Sequence, residues 1–125
     1  MLKECTLFEA LQCKEEDTLV TVAKKLREYT VRYIYVTNAQ EQPVGVISMS
    51  DMNNRVVAEG KDPTLFKAKD IMTKNIKVYD DTMDERDAYK QCVHEKLTAC
   101  PVVSKGKLVG VVTVQELLNR ITHVE

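Results

Sequence analysis

Two stretches of this chain, residues 15–52 and 80–117, carry the same signals in the same order. Self-similarity constrains a fold more tightly than a single motif, because each copy is one supersecondary unit that must bury its apolar face against a neighbour. Each copy opens on an acidic residue and a threonine, Asp17-Thr18 and Asp81-Thr82. Such a pair suits a helix start, where a side-chain oxygen accepts from an orphan N–H. Thr82-Met83-Asp84-Glu85 reads as a capping box, and Asp80, Asp81 and Asp87 add negative charge at the positive end of the helix dipole. An amphipathic helix follows in each copy. Leu19, Val22, Ala23 and Leu26 form its apolar stripe in the first, and Ala88, Tyr89, Cys92, Val93 and Leu97 in the second.

Two strands come next. The first pair is Tyr33–Val36 and Val44–Ser48, and the second is Pro101–Val103 and Leu108–Thr113, each joined by a turn-forming segment. Their near-continuous apolar character predicts strands covered on both faces. A second helix follows each hairpin, with Ser50 or Asp51 placed to cap the first of them. Gly60–Thr64 is a turn-rich connection, and Pro63 bars helix continuation. The strand Ile76–Tyr79 enters the second copy, and Leu11–Cys13 is its counterpart. The fold class is therefore α/β (α+β): two β-α-β-β-α repeats, 1–60 and 70–125, joined by a linker at 61–69. A copy of about 60 residues buries its sheet poorly alone, so the repeats are expected to pack sheet to sheet with pseudo-two-fold symmetry.

Composition narrows the function. The 18 basic and 19 acidic side chains leave a charge of −1, and neither half is a basic tail, so nucleic-acid binding by phosphate neutralisation is not expected. No apolar run reaches the ~18 residues of a membrane span and the start has no signal-peptide core, so a cytoplasmic protein without membrane insertion is expected. The four cysteines lack C-x-x-C spacing, which predicts small apolar core residues in a reducing compartment and no metal site. Met49, Met52, Met72 and Met83 are expected to fill the core. No Ser/His/Asp grouping, general-acid pair or Gly-rich phosphate loop stands out, and no catalytic residue is assigned.

The ordered set Asp-Thr, Cys100-Pro101-Val102-Val103, Val109-Gly110-Val111-Val112-Thr113, Val44-Gly45-Val46-Ile47-Ser48-Met49-Ser50-Asp51 and Asp70-Ile71-Met72-Thr73 resembles the cystathionine β-synthase-type (CBS) domain. Two in tandem resemble a Bateman module. The resemblance implies clefts between repeats that hold adenine nucleotides or other adenosyl ligands. It places a Ser or Thr hydroxyl and an Asp at the start of the last helix, where the carboxylate accepts from both ribose hydroxyls. It implies Ser48 and Asp51 in the first repeat and Thr113 with Glu116, in place of Asp, in the second. Around the adenine it implies Thr73, Ile76 and Val78 from the second entering segment, and Leu11 and Cys13 from a less typical first one, where Ala10 stands in place of Thr. Arg32 matches a position aimed at phosphate; Arg55 and Arg120 fit either that role or i,i+4 ion pairs with Asp51 and Glu116. No cofactor is required on this reading. The expected ligand is an adenine nucleotide, AMP-like, or S-adenosylmethionine, in a regulatory homodimer that modulates an enzyme or transporter. A ligand-free scaffold acting by protein–protein contact is the alternative.

Overall fold

The computed structural model describes residues 1–122. The chain forms two compact units that do not follow the repeat boundaries: Leu11–Ile76, and Met1–Ala10 together with Lys77 onward. In the first unit, β1 (Gln12–Lys14), β2 (Tyr33–Thr37), β3 (Pro43–Ser48) and β4 (Thr73–Lys74) form one sheet in that order. β1 runs parallel to β2, and the other neighbours are antiparallel. Helices α1 (Leu19–Tyr29) and α2 (Met49–Met52), a π turn (Asn53–Val57) and α3 (Ala68–Ile71) complete the unit. The core joins Leu19, Val22 and Leu26 of α1 to Ile34, Val36 and Ile47 of the sheet.

The second unit has a three-stranded sheet, β5 (Tyr79–Asp80), β6 (Ala99–Ser104) and β7 (Lys107–Thr113), with helices α4 (Glu85–His94) and α5 (Val114–Thr122). Its core gathers Leu2, Cys5, Tyr79, Cys92, Cys100, Val102, Val112 and Leu117. The opening residues enter this core because a 3-10 turn at Leu2–Glu4 hydrogen-bonds to it, Leu2 N–H to Met83 O and Lys3 N–H to Asp81 O, both 2.9 Å. The same two bonds recur in the other unit, Ala68 N–H to Asp17 O at 2.8 Å and Lys69 N–H to Glu15 O at 3.1 Å.

Several expectations change. Of the predicted strand Ile76–Tyr79 only Tyr79 is in a strand, at the start of β5; a separate strand, β4, precedes it, and Asn75 at φ 57° turns the chain between the two. Thr82 does not cap α4; it bonds to Asp80 Oδ1 through both its N–H and its hydroxyl, and Asp84 caps the helix by accepting from Arg86 N–H. With that cap, the run from cap to mid-strand is seventeen residues in both copies, 18 to 35 and 84 to 101. Ser48, and not Ser50 or Asp51, caps α2. Met49 is exposed, whereas Met52, Met72 and Met83 pack against the cores as expected.

All four cysteines are buried, but only Cys5 and Cys13 are free; Cys92 on α4 and Cys100 on β6 are a disulfide, their Cα atoms 6.7 Å apart. A thiol assay on the unfolded chain is expected to count two thiols before reduction and four after. A count of four at the outset would refute the pairing.

Helix α1 ends at Thr30 in the left-handed region (φ 51°, ψ 36°), as α4 gives way to Lys96 at φ 58°. A β-branched residue there costs roughly 1–2 kcal/mol. Thr30→Gly is expected to stabilise the protein by about 1 kcal/mol, read from the urea midpoint, despite the greater freedom of glycine in the unfolded chain.

Candidate functional site

One end of the four-stranded sheet gathers most of the residues singled out in the first repeat. Tyr33 at the start of β2 lies opposite Ser48 at the end of β3, and Thr73 at the start of β4 lies opposite Val46. Leu11 leads into β1 at that same end, its carbonyl accepting from Tyr35 N–H at 2.9 Å. The carbonyl of Arg32 accepts from Met49 N–H at 3.0 Å, which fixes the arginine beside the start of α2.

There Ser48 and Asp51 cap one another. Asp51 N–H donates to Ser48 Oγ at 3.0 Å, and Ser48 N–H donates to Asp51 Oδ2 at 2.8 Å. This reciprocal pair satisfies two orphan donors and holds the carboxylate in one orientation. Oδ1 has Arg55 Nε at 3.6 Å, too long for a good hydrogen bond. Arg55 is anchored instead by Nη1, which donates to the carbonyl of Ile71 at 2.9 Å. The carboxylate is partly exposed, at 18 %.

Three of the singled-out residues lie elsewhere. Cys13 is a core residue whose thiol is pushed up to about 12 by burial, so it remains protonated and apolar. Ile76 lies beyond β4, lining a hollow of about 390 Å³ with Pro43, Val44 and Lys74. Val78 belongs to the other unit, just before β5.

Thr113 and Glu116 repeat the cap only in half. Glu116 N–H donates to Thr113 Oγ1 at 3.1 Å, but the glutamate does not turn back to Thr113. Its Oε2 reaches across to Thr6 N–H at 2.9 Å, with Arg120 Nη1 at 3.8 Å. The extra methylene takes the carboxylate past its own cap and ties it to the entering segment. Both Arg55 and Arg120 therefore make the i,i+4 pairs.

The entering segments also correspond differently from the expected alignment. Phe8 exchanges two backbone bonds with Val111, of 2.8 and 2.9 Å, where Thr73 and Lys74 pair with β3 in the other unit. An added Cβ on Gly45 would meet Met72 and Thr73, and one on Gly110 would meet Leu7 and Phe8. Phe8, and not Ala10, is thus the counterpart of Thr73, and Leu7 that of Met72. Cys13 matches Tyr79, since each pairs with the residue before a bulge in the central strand. Tyr33 and Met49, 49 % and 58 % exposed beside Ser48, were not singled out as site residues. The strand period and the methionine habit gave no signal that they would face solvent.

The CBS-domain family model matches residues 6–58 and 68–123. The chain belongs to the CBS-domain family. It is a pair of CBS repeats in a mixed α/β fold, as in the solved structures it resembles. An uncharacterised protein of Methanopyrus kandleri, MK0525, is 33 % identical over 104 residues, 82 % of this chain and 53 % of that protein. The cytosolic domain of the Mg2+ channel MgtE, solved in complex with ATP, is 26 % identical with a TM-score of 0.75, over 89 % of this chain and 44 % of that one. Hypoxic response protein I, solved with two coordinated zinc ions, matches at a TM-score of 0.78 and 20 % identity, over 99 % and 98 % of the two chains. Among the described residues of this CBS pair, no group of three or more His, Cys, Asp or Glu is placed to hold a metal. The pair spans only about half the length of the first curated relatives it matches. No helix among the described residues is long and apolar enough to cross a membrane.

Proposed function

We propose that this CBS pair is a non-catalytic regulatory module that takes an adenosyl-type ligand at Ser48 and Asp51. Occupancy would alter its assembly or its hold on a regulated enzyme or transporter. The carrying observation is the reciprocal cap that closes at Ser48 and Asp51 and leaves the carboxylate of Asp51 beside the Ser48 hydroxyl, whereas Glu116 turns away from Thr113. Asp51 accepts one short hydrogen bond at Oδ2, and Oδ1, with the long 3.6 Å ion pair to Arg55, retains acceptor capacity for a ribose diol. Glu116 accepts its one backbone bond from Thr6 N–H, away from the Thr113 hydroxyl, which supports a structural role there and a stoichiometry of one ligand per chain. The ATP complex of the MgtE domain supports an adenine nucleotide. Arg32 is a single exposed cation beside the start of α2, and Arg55 is held by Ile71 O, which favours a monophosphate such as AMP, or S-adenosylmethionine, over a triphosphate.

Isothermal titration with AMP, ADP, ATP and S-adenosylmethionine tests the reading. At least one is expected to bind once per chain, and Asp51→Ala to weaken it by about ten- to a hundredfold, the worth of a lost charge-assisted contact. Glu116→Ala is expected to lower stability and leave affinity unchanged. Flat traces for all four ligands would leave the scaffold reading in its place.

A further inference from the structure

The disulfide of the second unit stands where the first unit has none. Counted from the helix caps Thr18 and Asp84, Cys92 takes the place of Leu26 and Cys100 that of Ile34. Leu26 and Ile34 pack as ordinary apolar side chains in the core of the Leu11–Ile76 unit. The fold therefore closes at these two positions without a covalent bond. A bond that closure does not require can be broken and remade within the fold.

Cys92 and Cys100 are both fully buried, so a reductant meets them only after a local opening. The means of opening is close by. Cys92 lies two residues before the end of α4 at His94, and Val93–Lys96 are exposed. Three backbone bonds close that end: Glu95 N–H to Gln91 O at 2.9 Å, Lys96 N–H to Val93 O at 3.1 Å and Leu97 N–H to Cys92 O at 2.9 Å. Lys96 holds φ 58°, a left-handed conformation that is unfavourable for a residue with a side chain. Helix ends open more readily than core strands. The core also resists tight closure. Among the described residues Tyr79 Oη has no hydrogen-bond partner, and an unpaired buried hydroxyl is costly. Burial pushes the thiol of Cys5, which shares this core, upward, so it stays protonated and does not compete for the bond.

We propose that Cys92 and Cys100 are a redox-active pair that a dithiol reductant opens through the last turn of α4, loosening the second unit and leaving the Leu11–Ile76 unit as it is. Two electrons and two protons pass from the dithiol to the pair: the S–S bond breaks, two thiols form, and the reductant ends as a disulfide. Hydrogen peroxide remakes the bond by taking both electrons and both thiol protons, and leaves as two waters. Two thiols need more room than a bonded pair, and a core packed without voids has none to give, so α4 must shift from β6 on reduction. Leu2 and Cys5 pack in the same core, so the redox state also reaches the opening segment. The site lies within one unit and does not depend on the ligand reading.

The test uses the full chain in its oxidised form, with dithiothreitol as the reductant. Maleimide labelling and mass spectrometry count the thiols, and amide exchange is followed in parallel. Reduction is expected to proceed without denaturant. Lys96→Gly relieves the left-handed lysine and tightens the helix end, so it is expected to slow reduction about threefold or more. In the reduced protein, exchange in α4, β6 and β7 is expected to quicken about tenfold or more, with β2 and β3 unchanged. Hydrogen peroxide is expected to restore the slow exchange. The unchanged strands are the internal control against a general effect of the reductant. A bond that resists dithiothreitol until urea is added overturns the proposal, as does reduction that leaves exchange in β6 and β7 untouched. Equal quickening in both units, or a rate indifferent to Lys96→Gly, overturns it as well.

Discussion

Leu2→Ala is expected to destabilise the protein by about 3 kcal/mol, from a position that sequence order places at the very edge of the first repeat. Leu2 is fully buried, in a core with Tyr79, Ala88, Cys92, Val102, Val112 and Leu117. Truncation leaves a cavity that this core cannot close easily, because the 3-10 turn carrying Leu2 is pinned by backbone bonds to Met83 and Asp81. The loss should also have an address. Amide exchange is expected to quicken in β6 and β7 and to stay unchanged in β2 and β3, since Leu2 belongs to the unit that holds the former pair. A urea titration gives the magnitude, and exchange mass spectrometry gives the address. A loss under 1 kcal/mol, or faster exchange confined to β2 and β3, would contradict this account.

Gly110→Ala is expected to cost about 2–3 kcal/mol, and the corresponding Gly45→Ala clearly less. The added methyl at Gly110 would stand 2.8 Å from Phe8 O and 3.1 Å from Leu7 Cβ, so backbone must move. That movement opens the two bonds between Phe8 and Val111 that hold the opening segment onto β7. At Gly45 the nearest atoms are Met72 Sδ at 2.5 Å and Cγ at 2.8 Å, the flexible part of a thioether side chain that can swing aside. Thr73 O at 3.0 Å then needs only a small adjustment. Thermal unfolding of the two variants side by side decides the order. Equal losses would mean that Met72 is as rigid as backbone.

The legible part of the fold was its local grammar. The stripe of Leu19, Val22 and Leu26 predicted α1 and its buried face, and the apolar runs around Gly45 and Gly110 predicted both hairpins. Helix starts were less secure, because Asp80, Asp81, Thr82 and Asp84 all have capping oxygens within five residues. The choice of Asp84 depends on Thr82 being taken up by Asp80. Ser48 and Asp51 were legible as a pair through the family resemblance, but not as a reciprocal cap, because Ser48, Ser50 and Asp51 all offer capping oxygens within four residues. The fate of Glu116 was not, because its partner Thr6 is 110 positions away.

The cysteines divide the two kinds of knowledge most sharply. Cys5 and Cys13 are separated by eight residues, as are Cys92 and Cys100, and nothing local tells the pairs apart. The chain passes from one compact unit to the other between Cys5 and Cys13, whereas α4 and β6 return Cys92 and Cys100 to a single core. Periodicity and turn chemistry act over a few residues, so residue order alone determined two β-α-β-β-α copies. Which segment completes which core, which carboxylate stays open and which thiols meet depend on contacts between residues far apart in the chain, and those exist only once the units have closed.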